Sequence, residues 1–220
     1  MATSTSTTSG GDQKAAAPRS LLGWAGIAFA VLFVIGFISS SNSLKNDAPD
    51  AEWLKWYANH GHLKGVLVGG YMMTIAAFAF LVLAAGLVER VREAGEASPV
   101  LNRVCWATGL LASGFMLLAA ISLAGIAGDI VFGSSQNVET ADLLRHNLGY
   151  AILFLTTALT AAVFIACVTT LARRAGVFGT AMTWFSYIVA VALAFAVVFL
   201  PILALPIWGL VTGIALLRKG

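Results

Sequence analysis

The chain has 220 residues, 59% of them hydrophobic and only 10% charged, with a mean hydropathy of +0.88. Soluble domains carry about 25% charged residues, so the composition belongs to the multi-span membrane class. The net charge of +3 comes without any basic cluster interleaved with aromatics, and no nucleic-acid partner is expected. Cys105 and Cys167 lie inside apolar runs without CxxC spacing and read as small hydrophobes.

Residues 1–20 are rich in Ser, Thr, Gly and Ala and lack apolar periodicity, which predicts a disordered tail. Residues 21–220 are expected to form a single transmembrane helical domain. The first apolar run, 21–40, is long for a signal-peptide core and is followed by no A-x-A site, so it reads as a retained span. A polar stretch follows, SLKNDAPDAEWLKWYANHGHLK at 43–64, with a helix start at Pro49/Asp50 and a stop at Gly61. A helix over 51–60 places Trp53, Trp56, Tyr57 and His60 on one face. That face reads as a membrane-interface anchor, with a ligand-contacting lid as the alternative.

The second span is predicted over 65–88, opening on Gly65-xxx-Gly69, and a charged loop over 89–103 leads to a third span over 106–131. The third carries a small-residue row, Ala120, Ala124 and Gly128. A second polar loop, 132–147, precedes the fourth span over 148–171. The last apolar region, 177–217, holds no charge and would be about 60 Å long as one helix, twice the hydrocarbon thickness. Pro201 and Pro206 mark where it should fold back into spans over 180–200 and 203–217, with one kinked span as the alternative. The expectation is therefore an all-α polytopic bundle of six spans with a short interfacial helix between spans one and two.

Charge placement bears on that count. With both termini cytoplasmic, nine basic residues lie inside (Lys14, Arg19, Arg90, Arg92, Arg103, Arg173, Arg174, Arg218, Lys219) and four outside (Lys45, Lys55, Lys64, Arg145). This obeys the positive-inside rule and requires an even number of crossings.

Candidate chemistry gathers on the outer side, where His60, His62, His146 and Asp129 all fall. Imidazoles of this kind ligate Zn²⁺ or Cu²⁺, although a His-x-His pair alone is a weak pattern and solvated loop histidines are the commoner outcome. Asp129 shares a helical face with Ser122 and Gly125 and reads as a proton site or an interfacial ion pair with Arg145 or His146. Asp142, Arg145 and His146 are spaced for an exposed i, i+3, i+4 cluster. Thr156 and Thr160 are expected to bond carbonyls of their own helix. No GxSxG elbow or phosphate loop is present, and an enzyme of soluble type is disfavoured.

Three features together resemble uncharacterised multi-span membrane proteins of actinobacteria, grouped under domains of unknown function. They are the Trp/Tyr-bearing loop 49–61, the charged exit Leu87-Val-Glu-Arg-Val-Arg92, and the ending Leu205-Pro-Ile-Trp208 … Leu216-Leu-Arg-Lys219. The resemblance implies a bacterial plasma membrane and brings no activity with it. The expected function is an integral membrane protein without catalytic machinery of its own. It would act as an accessory subunit or bind a lipid or other apolar small molecule, in contact with the bilayer and with another membrane subunit or copies of itself. The alternatives are a small secondary transporter using Asp129 and an outer-face metal enzyme or sensor using His60, His62 and His146, with Zn or Cu as its cofactor.

Overall fold

The computed structural model describes residues 19–41, 49–57, 59–95, 98–133, 140–196 and 200–218. Eight α-helices are described: α1 (Arg19–Ser41), α2 (Asp50–Tyr57), α3 (His60–Glu93), α4 (Pro99–Phe132), α5 (Thr140–Ala151), α6 (Ala158–Arg174), α7 (Thr180–Ala194) and α8 (Ala204–Arg218). A π-helical turn, Ile152–Thr157, joins α5 to α6, and a 3-10 turn, Leu200–Leu203, leads into α8. The predicted all-α bundle is what is observed. Of the tail expected over 1–20, residues 1–18 lie outside the described residues, and Arg19 and Ser20 already belong to α1.

Five segments are long and apolar enough to cross a membrane: Ser20–Ser40, Gly61–Glu93, Pro99–Phe132, Leu144–Arg174 and Pro201–Arg218. The fifth expected span, 180–200, is represented by the shorter α7, whose 15 residues extend about 22 Å at 1.5 Å per residue. The outside of these helices is as apolar as the inside, with Val31, Ile35, Phe78, Ile121 and Ile188 all exposed. A helix hydrophobic all round belongs in a core or in lipid.

α3 and α4 run past the expected spans, because the charged segment 89–103 does not form a loop. Its Glu and Arg residues are good helix formers and continue both helices. The break narrows to a turn at Gly95, whose φ of +85° suits glycine, and α4 restarts with Pro99 in its first turn behind Ser98. Gly61 likewise fails to stop a helix. α2 ends at Tyr57, and Asn59 caps α3 by accepting from the Gly61 N–H at 2.9 Å. A capping side chain outweighs the weak breaker next to it. The α6–α7 turn is a Schellman motif, with Gly176 at φ +69°, Gly176 N–H to Arg173 O at 3.1 Å and Val177 N–H to Ala172 O at 2.8 Å.

Helices adjacent in sequence are mostly adjacent in space. α1 packs between α3 and α8, α4 packs on α3 and on the α5–π–α6 helix, and α7 lies on α6 and α8. The first turn of α7 lies beside the last turn of α8, so the two helices run antiparallel as a hairpin. The start of α1 meets the ends of α3 and α8 through Leu22 against Gly86 and Gly23 against Leu217. The start of α1 and the end of α8 therefore share one end of the bundle with Arg90, Arg92, Arg173 and Arg174.

Close approach depends on glycine at the α1–α8 crossing. A Cβ on Gly26 would lie 2.6 Å from Gly209 O and 2.9 Å from Gly213 Cα. Such small-residue seams are how helices associate in lipid, where hydrophobic drive between helices is absent. In the Gly65-xxx-Gly69 pattern only Gly69 serves this purpose, against Ser40 and Gly36, while Gly65 faces open space. In the α4 row, Ala120 and Ala124 approach Gly70, and a Cβ on Gly128 would meet nothing within 4 Å. Inside the bundle, Phe29 packs on Phe80 with centroids 5.1 Å apart, Phe80 on Phe164 at 5.7 Å, and Phe164 on Trp208 at 6.1 Å. This relay of rings ties α1, α3, α6 and α8 together.

Candidate functional site

The polar cluster forms at the end opposite the arginines, where the short helix α2 folds back over the bundle. Trp53 and Tyr57 are each only 2% exposed, in a cluster with Leu63 and Val66 of α3 and Ile126 and Ala127 of α4. The apolar face of α2 is thus spent on protein. Trp53 and Tyr57, two of the three residues expected to anchor at the headgroups, pack here against Leu63 and Val66 of α3 and Ile126 and Ala127 of α4. Trp56 remains partly exposed.

The histidines flank α2 on two sides. His62, in the first turn of α3, stacks on Trp56 with centroids 4.5 Å apart and donates from Nδ1 to the Trp56 carbonyl at 3.1 Å. His146, on α5, is 1% exposed and lies edge-on to Trp53 at 5.7 Å and to Tyr150 at 5.3 Å. Neither of its ring nitrogens has a hydrogen-bond partner of good geometry. Trp53 and Trp56 stand between the two imidazoles, their rings 6.3 Å apart. His60 is the first residue of α3, and its side chain lies outside the described residues. Among the described residues no three His, Cys, Asp or Glu side chains come together as metal ligands.

Asp129 pairs with Arg145 rather than with His146. Its Oδ2 accepts from Arg145 Nη1 at 2.6 Å, and both side chains are about half exposed. Gly125 permits this reach, since a Cβ there would sit 3.1 Å from Arg145 Cδ. The cluster expected with Asp142 cannot be placed, because that side chain lies outside the described residues. The half-exposed pair is a bridge between α4 and α5 near the end of α4, with neither charge buried in protein. A general base works through a well-aligned hydrogen bond, and neither ring nitrogen of His146 makes one of good geometry among the described residues.

Two features were not anticipated. Tyr150 stands one helical turn beyond His146, packs its ring parallel to Phe154 at 5.9 Å, and donates a long hydrogen bond to the Ser40 carbonyl at 3.5 Å. The i, i+4, i+8 spacing of His146, Tyr150 and Phe154 carried that signal. The π-helical turn begins just beyond Tyr150. There Thr156 Oγ1 donates to Ile152 O at 2.7 Å, and Thr160 Oγ1 to Thr156 O at 2.7 Å, the local bonds expected of these threonines.

The second unanticipated feature is a groove of about 530 Å³ between the later half of α1 and the start of α8. Its walls are wholly apolar, built from Ala30, Val34, Phe37 and Ile38 on one side and Leu203, Pro206 and Ile207 on the other. The glycine crossing sets the two helices in backbone contact around Gly26 and Gly209, and beyond it their side chains stand apart. Pro206, in the first turn of α8, removes an N–H that would have had no helical partner there. No family model, curated protein or solved structure matches this chain.

Proposed function

We propose that the chain is a six-crossing protein of a bacterial plasma membrane that holds the hydrocarbon part of a lipid, or a similar apolar molecule, in the α1–α8 groove. The groove carries this reading. Its volume of about 530 Å³ falls within the usual range of ligand pockets, and its carbon-only walls suit a guest recognised by shape and apolarity. The basic end is the cytoplasmic one in this reading, since Arg90, Arg92, Arg103, Arg173, Arg174 and Arg218 gather there. Exposed Trp24, Trp106 and Trp184 follow the starts of α1, α4 and α7 at that same end, at the depth expected of an interfacial belt. The half-exposed Asp129–Arg145 bridge supports a structural role for Asp129 over proton transport.

Native mass spectrometry of protein extracted in mild detergent tests the groove. Wild type is expected to retain an apolar species that Ile207→Trp, which fills the groove, releases. Equal retention by both proteins, or none by wild type, overturns the reading. Orientation is tested on intact cells with an impermeant thiol reagent and a Cys105→Ala/Cys167→Ala background. Lys55→Cys is expected to react and Arg103→Cys is not; the reverse pattern inverts the topology.

A further inference from the structure

A different cleft lies at the basic end of the bundle and shares no residue with the α1–α8 groove. It encloses about 410 Å³ between the last turn of α3 (Arg90, Glu93), the α6–α7 turn (Gly176, Val177) and Leu216 near the end of α8. Val177 and Leu216 also line an adjoining hollow of about 310 Å³, which lies between the start of α7 and the end of α8 beside Met182 and Ala215. The first hollow is thus bordered by charged side chains and its neighbour mostly by carbon. The Schellman turn at Gly176 holds this geometry, with Phe178 buried beneath it.

Charge is unevenly placed around the mouth. The elements that build it carry five arginines, Arg90, Arg92, Arg173, Arg174 and Arg218, against two acids, Glu89 and Glu93. Arg92 is engaged by Glu89. Arg173 and Arg218 are exposed, and with Arg174 they stand within two residues of cleft-lining positions. Guanidinium groups match phosphate oxygens in pairs, and basic recesses between spans at a cytoplasmic face suit anionic lipid headgroups.

We propose that this cleft binds an anionic phospholipid, its phosphate among the arginines of the mouth and one acyl chain laid past Met182 and Ala215. Charge complementarity selects this occupant. A zwitterionic lipid brings no net charge to balance the arginine excess, and a soluble phosphate leaves the carbon-lined hollow without a guest. The exposed tryptophans near the same end put the mouth at headgroup depth in the orientation proposed above. The proposal stands on the cleft itself and does not require the groove to be occupied.

The test uses the purified full chain in detergent, titrated with phosphatidylglycerol, phosphatidylcholine and inorganic phosphate and read by native mass spectrometry and thermal shift. Phosphatidylglycerol is expected to bind wild type about tenfold more tightly than phosphatidylcholine, a preference that weakens as salt is raised. Arg173→Gln/Arg174→Gln, at exposed positions that leave the core intact, should remove most of that preference while phosphatidylcholine binding stays unchanged. Val177→Trp, which fills the junction of the two hollows, should abolish binding of both lipids. Equal affinity of wild type for the two lipids, or an undiminished preference in the double variant, overturns the proposal. A thermal shift from inorganic phosphate as large as that from phosphatidylglycerol overturns it in favour of a soluble anion. Ile207→Trp should leave the phosphatidylglycerol preference intact; its loss there assigns the lipid to the α1–α8 groove and overturns the cleft.

Discussion

Trp208 of α8 donates its indole N–H to Ser186 Oγ of α7 at 3.0 Å, with both side chains fully buried. The bond crosses the hairpin that the two prolines begin, and it stands where the aromatic relay through Phe164 ends. A buried indole N–H has no water to turn to, so the serine is its whole supply of acceptor.

Ser186→Ala should therefore destabilise the protein by about 1 kcal/mol, between the smaller average for interhelical bonds in membranes and the larger penalty for an orphaned buried donor. Thermal unfolding in detergent measures it. A double-mutant cycle with Trp208→Phe should give a coupling of similar size, and a coupling near zero would deny the bond any energetic role.

Glycines separate into those that hold helices together and those that do not. Gly26→Val drives its side chain into the Gly209 carbonyl and the Gly213 backbone, which have no flexible end to move aside. An overpacking cost of about 1–3 kcal/mol is expected, read as a lower Tm. Gly128→Ala meets open space and should be neutral or stabilising by up to about 1 kcal/mol through helix propensity. Equal losses at the two positions would refute the assignment of the seam to α1 and α8.

The Asp129–Arg145 bridge, half exposed at both partners, should contribute little. Asp129→Asn is expected to cost no more than about 1 kcal/mol, and the difference from wild type should shrink further at high salt. Any transport activity the protein has should survive the substitution. A loss of several kcal/mol, or of uptake in reconstituted vesicles, would restore Asp129 as a functional charge.

The helices themselves were legible because apolar runs and flanking charges are properties of local sequence. The hairpin at Pro201 and Pro206 was legible for the same reason, helped by the length limit that a bilayer sets. Partners across space were not. Gly65 and Gly69 look alike in sequence, yet only Gly69 faces a neighbour, because the phase at which α1 crosses α3 decides it. Trp53 and Tyr57 looked like lipid anchors because their rings share an apolar face, and the sequence does not say whether that face meets lipid or neighbouring turns of α3 and α4. His146 was singled out as a polar residue in a loop; its burial follows from α5 beginning at Thr140, well before the expected span.

His146 offers the clearest experiment at the candidate site. Its ring fills space under Trp53 and beside Tyr150 without a hydrogen-bond partner of good geometry for either nitrogen. If shape is its whole contribution, His146→Phe should be neutral or stabilising, because an aromatic ring of similar breadth replaces a polar one whose nitrogens make no hydrogen bond of good geometry. His146→Ala should instead cost about 2–4 kcal/mol by leaving a void, and should loosen α2, whose Trp53 rests on that ring. Thermal unfolding compares the three proteins, and hydrogen exchange across residues 50–57 reports whether α2 has come away. Fast exchange in the Ala variant with wild-type protection in the Phe variant fits a packing role. Should the Phe variant lose as much stability as the Ala variant, the imidazole nitrogens are engaged, and a ligand or metal at this end becomes the explanation to pursue.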